Sequence, residues 1–273
     1  RELINLKMNI EEIRDDEAQD DERQELIYEF KYLDQTMFKS IQTKPCQDIL
    51  QKWGLDKGVE LSKFRYNHSF KLIDTEVFLT ELLNSPEVRS VMPGLSAKLS
   101  SKVESVQFNK LNTDVTNMGF FDLLGEKDIT TTTGYIKKEP DEYLEGMVMG
   151  DRLRYALAFE DSEYYEIFDD KMRKEFILRV FQHLVLGGSI CQFEDSVTEY
   201  LTNTQLFYKD LVAVFKDTET DEIKVGSHIF EITQIDGSDL FGDIEHPQNW
   251  AYVIVDPIHW HVNIWYNKWS SWW

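Results

Sequence analysis

The sequence DKMRKEFILRVFQHLVLGG, residues 170–188, decides the fold class, because its start signal, its periodicity and its stop signal agree. Seven large apolar residues recur at spacings of three and four and so share one helical face: Met172, Phe176, Ile177, Val180, Phe181, Leu184 and Val185. Asp169 and Asp170 can cap this helix, and the pair Gly187–Gly188 can end it. We therefore predict one amphipathic helix over Asp170–Leu186 that lies on a core.

Strand patterns occur on both sides of this helix. Alternating or β-rich runs predict strands at Tyr28–Tyr32, Phe64–Phe70, Val103–Lys110, Leu206–Phe215, Ile223–Ile235, Ala251–Val255 and His261–Tyr266. The polar turn at residues 217–222 predicts a β-hairpin between two of them. Capping and stop signals predict further helices at Thr43–Trp53, Asp74–Leu83, Asp151–Phe159 and Ser196–Leu201. The predicted fold class is α+β, with mixed helices packed on a mainly antiparallel sheet and a C-terminal β-hairpin and strands.

Composition divides the chain into three parts. Residues 1–28 are dominated by Asp and Glu and are predicted to form an acidic extension. Residues 29–268 are predicted to form a single α+β domain, in which residues 112–146 are a loop-rich insertion because they contain Thr130–Thr133, Gly134 and Pro140. Residues 269–273 form a Trp-rich tail.

Charge, cysteine usage and hydrophobicity argue against nucleic-acid binding, a disulfide framework and membrane insertion. The formal net charge is −21, from 50 acidic and 29 basic side chains, so the chain should repel nucleic acid and anionic lipid. Cys46 and Cys191 are far apart, which argues against a disulfide framework and favours an intracellular protein. The most apolar run, Phe176–Leu186, is shorter than the ~20 residues that span a bilayer, so no membrane insertion is predicted.

One group of residues suggests metal chemistry. Asp256 ends a predicted strand, and His259 and His261 follow it at a spacing that can bring both imidazoles to one face. A metal-dependent enzyme that uses these three residues is therefore the alternative hypothesis. Asp before Pro257 is also an ordinary turn signal, which accounts for the same residues without a metal.

Other catalytic patterns are weaker. Cys191 and His183 are the residue types of a thiol nucleophile and its base, but no supporting motif surrounds them, and a buried structural cysteine is the more common case. The Gly187–Gly188 pair lacks the spacing and the Lys of a phosphate-binding loop. We predict a non-enzymatic protein without a cofactor.

Two exposed segments are the candidate partner-binding residues. The acidic lead-in before the main helix contributes Asp161, Glu163, Tyr164 and Glu166. The tail contributes Trp269, Trp272 and Trp273, since indoles combine a large apolar area with one hydrogen-bond donor.

Four strings in combination resemble the cilia- and flagella-associated protein 300 family. They are EDSEYYEIF at 160–168, FQHLVLGGSICQFED at 181–195, LFYKDLVAV at 206–214 and YVIVDPI at 252–258. The resemblance runs from about residue 30 to residue 266. The acidic extension and the Trp-rich tail depart from the family pattern.

The resemblance implies a non-enzymatic adaptor for the assembly of axonemal dynein arms in the cytoplasm or their delivery to the cilium. It implies three kinds of partner: axonemal dynein arm subunits, a dynein assembly factor of the PIH-domain class, and the intraflagellar transport machinery. It implies residence in the cytoplasm and in the cilium or flagellum. It brings no catalytic residues.

Overall fold

The computed structural model describes residues 27–34, 37–144, 146–242 and 246–270. Their strands, in chain order, are β1 (Phe30–Leu33), β2 (Val59–Tyr66), β3 (Val106–Leu111), β4 (Lys138–Leu144), β5 (Met147–Asp151), β6 (Val214–Lys216), β7 (Ile223–Val225), β8 (His228–Ile235), β9 (Ser238–Asp239), β10 (Trp250–Asp256) and β11 (His261–Asn267). All pairs of strands are antiparallel.

The helices of the same residues are α1 (Lys44–Lys52), α2 (Thr75–Asn84), α3 (Pro86–Val91), α4 (Pro93–Ser96), α5 (Leu123–Glu126), α6 (Arg152–Ala158), α7 (Asp170–Arg173), α8 (Phe176–Leu186) and α9 (Val197–Leu211). Short 3-10 turns occur at Leu72–Asp74, Met118–Asp122 and Tyr165–Ile167. The predicted α+β class is confirmed. Within the described ranges, no helix is both long and apolar enough to cross a bilayer.

One large sheet has the strand order β1-β2-β11-β10-β8-β3, with β9 paired to β8. Central strand β10 shows why this sheet has helices on both faces, since its alternate side chains enter two different hydrophobic clusters. Trp250, Tyr252 and Ile254 pack with α1, α6, α8 and α9. Ala251, Val253 and Val255 pack with α2, α3 and α4. The result is three layers, helix on sheet on helix.

The main predicted helix is correct over α8 but wrong in its first turns. Helix α7 ends at Arg173, and α8 begins at Phe176. At the break, Asn112 donates its N–H to the Lys174 carbonyl (2.8 Å) and accepts the N–H of Phe176 (2.9 Å). These bonds to the end of β3 replace helical bonds, and the Glu175 side chain is buried there. The predicted signals are otherwise confirmed: Asp169 accepts the N–H of Met172, and Gly187 ends α8 at φ +65°.

The predicted helix end at Leu201 and the predicted strand Leu206–Phe215 are both wrong. Helix α9 continues to Leu211, and only residues 214–216 are extended. The buried side chains Tyr200, Thr204, Phe207 and Leu211 are spaced four, three and four residues apart, which is a helical period. Aromatic and β-branched residues favour strands, but packing against α8 keeps this segment helical.

Three other predictions need smaller corrections. The strand predicted to reach Phe70 ends at Tyr66, so His68 lies exposed beyond it. The strand predicted over Ile223–Ile235 is two strands, β7 and β8, separated at Gly226 and Ser227. The segment 112–146 contains α5 and β4, and β4 forms a hairpin with β5. The sequence does not predict this hairpin, because β4 is polar, contains Pro140 and is exposed at most positions.

Candidate partner-binding surface

The acidic lead-in holds its carboxylates outward and its aromatic rings inward. Asp161, Glu163 and Glu166 are exposed. Tyr164 is half-buried: its hydroxyl donates to Glu139 Oε1 (2.9 Å), and the guanidinium of Arg152 lies 5.2 Å from its ring centroid. Of the four predicted lead-in residues, the three carboxylates are therefore free to meet a partner, and Tyr164 mainly anchors the segment.

A second aromatic residue fixes the lead-in to the helices behind it. The guanidinium of Arg173 stacks 3.3 Å from the ring centroid of Tyr165 and also donates to the carbonyls of Tyr165 and Ala156. Tyr165 donates its hydroxyl to Glu160 Oε1 (3.2 Å). Burial raises the pKa of the Tyr165 hydroxyl, which keeps it protonated as a donor at neutral pH. The exposed carboxylates thus stand on an ordered support.

Trp269 is half-buried and folds back on its own chain. Its ring stacks on the imidazole of His246, with ring centroids 4.3 Å apart, and its backbone N–H donates to Asn249 Oδ1 (2.8 Å). Trp272 and Trp273 lie outside the described residues.

The structure brings the lead-in and Trp269 to one small hydrophobic cluster, here called the satellite cluster. Its buried members are Met147, Met149, Tyr155 and Leu186, and its partly buried members are Leu144, Ala158, Phe159, Tyr164 and Trp269. Tyr164 and Trp269 are more than 100 residues apart in the chain, so the sequence alone could not show that they share a cluster.

A groove of about 230 Å³ opens beside the satellite cluster. This hairpin groove is lined by Tyr143, Met147, Val148, Met149, Phe193 and Trp269, with Arg154 and Cys191 also on its walls. Tyr143, Val148 and Phe193 are 66%, 41% and 36% exposed. The sequence does not predict the groove, because its lining residues come from the unpredicted β4–β5 hairpin and from distant parts of the chain.

A larger cleft of about 570 Å³ is lined in part by the lead-in. Glu160, Asp161 and Tyr165 form one wall, and Arg179 of α8 forms part of another. The Nε of Arg179 is buried and has no hydrogen-bond partner in the part of the chain that the structure describes. The volume suits a small molecule. However, Glu231 and Asp239 add further carboxylates around this single guanidinium, so the cleft does not define a ligand class.

His183 and Cys191 do not form a nucleophile and base. Both imidazole nitrogens of His183 are already bonded, Nδ1 to Gln248 Oε1 (3.0 Å) and Nε2 to the Tyr252 hydroxyl (2.8 Å). Burial lowers the pKa of His183 to about 3 and raises the pKa of the Cys191 thiol to about 11. At neutral pH the imidazole is uncharged and the thiol is protonated, so both groups are structural.

Because His183 is buried and uncharged, we expect the folded chain to lose stability in acid. The pKa of His183 is about 3 in the folded chain and near 6.5 when unfolded, so below pH 6.5 the unfolded chain binds a proton that the folded chain does not. The free energy of unfolding should therefore fall as the pH falls from 6.5 toward 3, by up to ~1.4 kcal/mol per pH unit. His183→Gln should flatten this slope in urea titrations between pH 5 and 7, whereas His68→Gln, at an exposed site, should leave it unchanged. Equal slopes for wild type and His183→Gln would contradict this assignment.

Asp256 and His261 lie on either side of the turn between β10 and β11, and His259 lies within it. Asp256 Oδ1 accepts the N–H groups of Ile258 (3.0 Å) and His259 (3.1 Å), and its Oδ2 bonds His259 Nδ1 (2.6 Å). The rings of His259 and His261 are 6.2 Å apart. Asp256 therefore acts as a turn-capping residue. Over the described ranges, no group of three or more His, Cys, Asp or Glu residues is placed to hold a metal ion.

The fold and the site define an α+β protein whose candidate site is a surface of aromatic, methionine and acidic side chains. The sequence model of the family described as "Cilia- and flagella-associated protein 300" matches residues 27–267. The chain belongs to this cilia- and flagella-associated family, as the resemblance predicted. The match includes the lead-in and the β4–β5 hairpin and leaves out Trp269, Trp272 and Trp273.

Two curated relatives carry the same description. The protein of Paramecium tetraurelia is 36% identical over 230 residues, which cover 84% of this chain and 90% of the relative. The protein of Chlamydomonas reinhardtii is 31% identical over 236 residues, which cover 82% of this chain and 91% of the relative. No solved structure matches the chain.

Proposed function

We propose that this protein is a non-enzymatic adaptor that acts through protein–protein binding in the assembly of axonemal dynein arms in the cytoplasm or in their delivery to the cilium. Membership of the cilia- and flagella-associated protein 300 family over residues 27–267 is the observation that carries the proposal. The proposed partners are dynein arm subunits, a PIH-domain dynein assembly factor and the intraflagellar transport machinery. The proposed locations are the cytoplasm and the cilium.

The geometry supports a binding role through the lead-in. Asp161, Glu163 and Glu166 are exposed on a segment that Tyr164 and Tyr165 hold against the domain. A segment that is already ordered loses little backbone freedom on binding, and its carboxylates attract basic surfaces. The partner surface that complements these carboxylates is therefore a basic one.

Affinity purification of the full-length tagged chain from the cytoplasm of ciliating cells tests the proposal. The wild-type chain should recover dynein arm, assembly-factor or transport subunits. Reversing the lead-in charges with Asp161→Lys, Glu163→Lys and Glu166→Lys should reduce recovery about tenfold, because rim charges steer association.

A matched control separates the place of the charges from the net charge. Glu126→Lys, Glu199→Lys and Glu219→Lys make the same change at exposed sites elsewhere and should leave recovery unchanged. Equal losses in the two triple variants would remove the lead-in from the proposal. Recovery of none of the three kinds of subunit by the wild type would reject the proposal itself.

A further inference from the structure

We infer that the hairpin groove docks a segment of a partner protein that carries large apolar side chains flanked by Lys or Arg. This inference rests on the proposed function and names the surface and the partner chemistry for it. The β4–β5 hairpin, the loop at residues 188–193 and Trp269 form the docking surface.

The first reason to infer a bound partner segment is that the groove has exposed apolar residues. Tyr143 and Val148 lie directly opposite each other on β4 and β5 and are 66% and 41% exposed. Phe193, which is 36% exposed, also lines the groove, and Ile190, which is 52% exposed, lies in the same loop. Exposed apolar side chains that line one groove are typical of a surface where a partner binds.

The size and composition of the groove favour side-chain anchors over a small molecule. Its volume of about 230 Å³ lies below the ~300–1,000 Å³ that is typical of small-molecule sites. Met147 and Met149 are among its lining residues, together with Tyr143, Phe193 and Trp269. Methionine side chains adapt to the shape of an inserted residue, and aromatic rings supply contact area at low entropic cost.

Charge selects the kind of segment that binds. Two carboxylates, Asp141 and Glu142, precede the groove residue Tyr143 on β4. The lead-in, which carries Glu163 and Glu166, contacts the satellite cluster beside the groove through Tyr164. Glu142 accepts a hydrogen bond from the Tyr155 hydroxyl (3.0 Å), which fixes one carboxylate at the edge of the cluster. Arg154, the cation of the groove, is 1% exposed and is paired with Asp151, so it does not offset these acids. Basic flanks on an apolar segment complement this arrangement.

The test compares two double variants of the full-length chain. Tyr143→Asp with Val148→Asp places carboxylates in the groove, and Leu72→Asp with Ile73→Asp makes the same change at an exposed apolar pair before α2, where Leu72 and Ile73 are 49% and 89% exposed. Circular dichroism checks that both variants keep the fold. The groove variant should recover the dynein arm, assembly-factor or transport subunit about tenfold less than wild type, and the control should match wild type.

Tiled synthetic peptides of the recovered subunit then identify the segment, and a photo-crosslinking residue at position 148 reports contact. Bound peptides should carry apolar residues with Lys or Arg flanks, and replacing the flanks with Glu should weaken binding about tenfold. Unchanged recovery by the groove variant, bound peptides that are acidic, or a crosslink to residues 271–273 of the same chain would each overturn the inference and leave the proposed function standing. A wild-type chain that recovers no subunit would overturn both.

Discussion

Replacing Arg154 with Met should lower the free energy of unfolding by about 3–5 kcal/mol, because the change leaves a buried carboxylate without its counter-charge. The guanidinium is 1% exposed and pairs with Asp151, which is equally buried. Its Nη2 also donates to the Val185 carbonyl (2.9 Å) and to the Tyr200 hydroxyl (3.0 Å). One side chain thus connects α6, α8 and α9 behind the hairpin groove.

The neighbouring Arg152 supplies the control. Its guanidinium pairs with Asp128 and Glu139, but its side chain is 26% exposed. Arg152→Met should therefore cost about 1 kcal/mol or less, as is typical of pairs near the surface. Urea unfolding of the two variants measures the difference, and similar losses would show that the buried pair is not a central support of the fold.

Replacing Gly188 with Ala should cost about 3 kcal/mol or more, because two backbone segments touch at this position. A Cβ on Gly188 would overlap the carbonyl oxygen of Gly54, at the turn after α1. The same two segments are joined by hydrogen bonds from Gly188 N to the Trp53 carbonyl (2.8 Å) and from Gln192 N to the Lys52 carbonyl (3.0 Å). A backbone oxygen tied in this way cannot yield as a flexible side chain can.

Gly237→Ala is the control for Gly188→Ala. Gly237 adopts φ +75° in the turn between β8 and β9, and an added Cβ would meet no atom within 4 Å. Gly237→Ala should therefore cost only the left-handed conformation, about 1–2 kcal/mol. If chemical unfolding ranked Gly237→Ala as the more damaging change, the close contact between Gly188 and Gly54 would not hold in solution.

Local signals predicted the elements whose hydrophobic period, cap and stop agree. Helix α8 is such a case, since its apolar period runs into Gly187. The prediction failed where a tertiary contact overrode the local pattern. Asn112 interrupts the helix at Glu175, and packing against α8 keeps Leu206–Leu211 helical despite a strand-like composition. Neither contact can be predicted from the local sequence of the segment whose conformation it determines.

Of the candidate site, the sequence predicts the lead-in carboxylates but not the hairpin groove. The exposed carboxylates of the lead-in follow from composition, and an acidic segment beside an amphipathic helix is visible in the sequence. The hairpin groove is not visible, because its wall joins Tyr143, Phe193 and Trp269 from three distant parts of the chain. Strand β4, which carries Tyr143, is polar and lacks the hydrophobic alternation that predicts a strand.

The most direct test of the central claim, that this chain binds the dynein-arm assembly or delivery apparatus, is quantitative mass spectrometry of complexes purified with the full-length chain from ciliating-cell cytoplasm. We expect near-stoichiometric recovery of dynein arm, PIH-domain assembly-factor or intraflagellar transport subunits. The lead-in or groove variants should reduce this recovery about tenfold, and their matched controls should leave it unchanged. Complexes that contain none of these subunits, from cells that are assembling dynein arms, would contradict the claim.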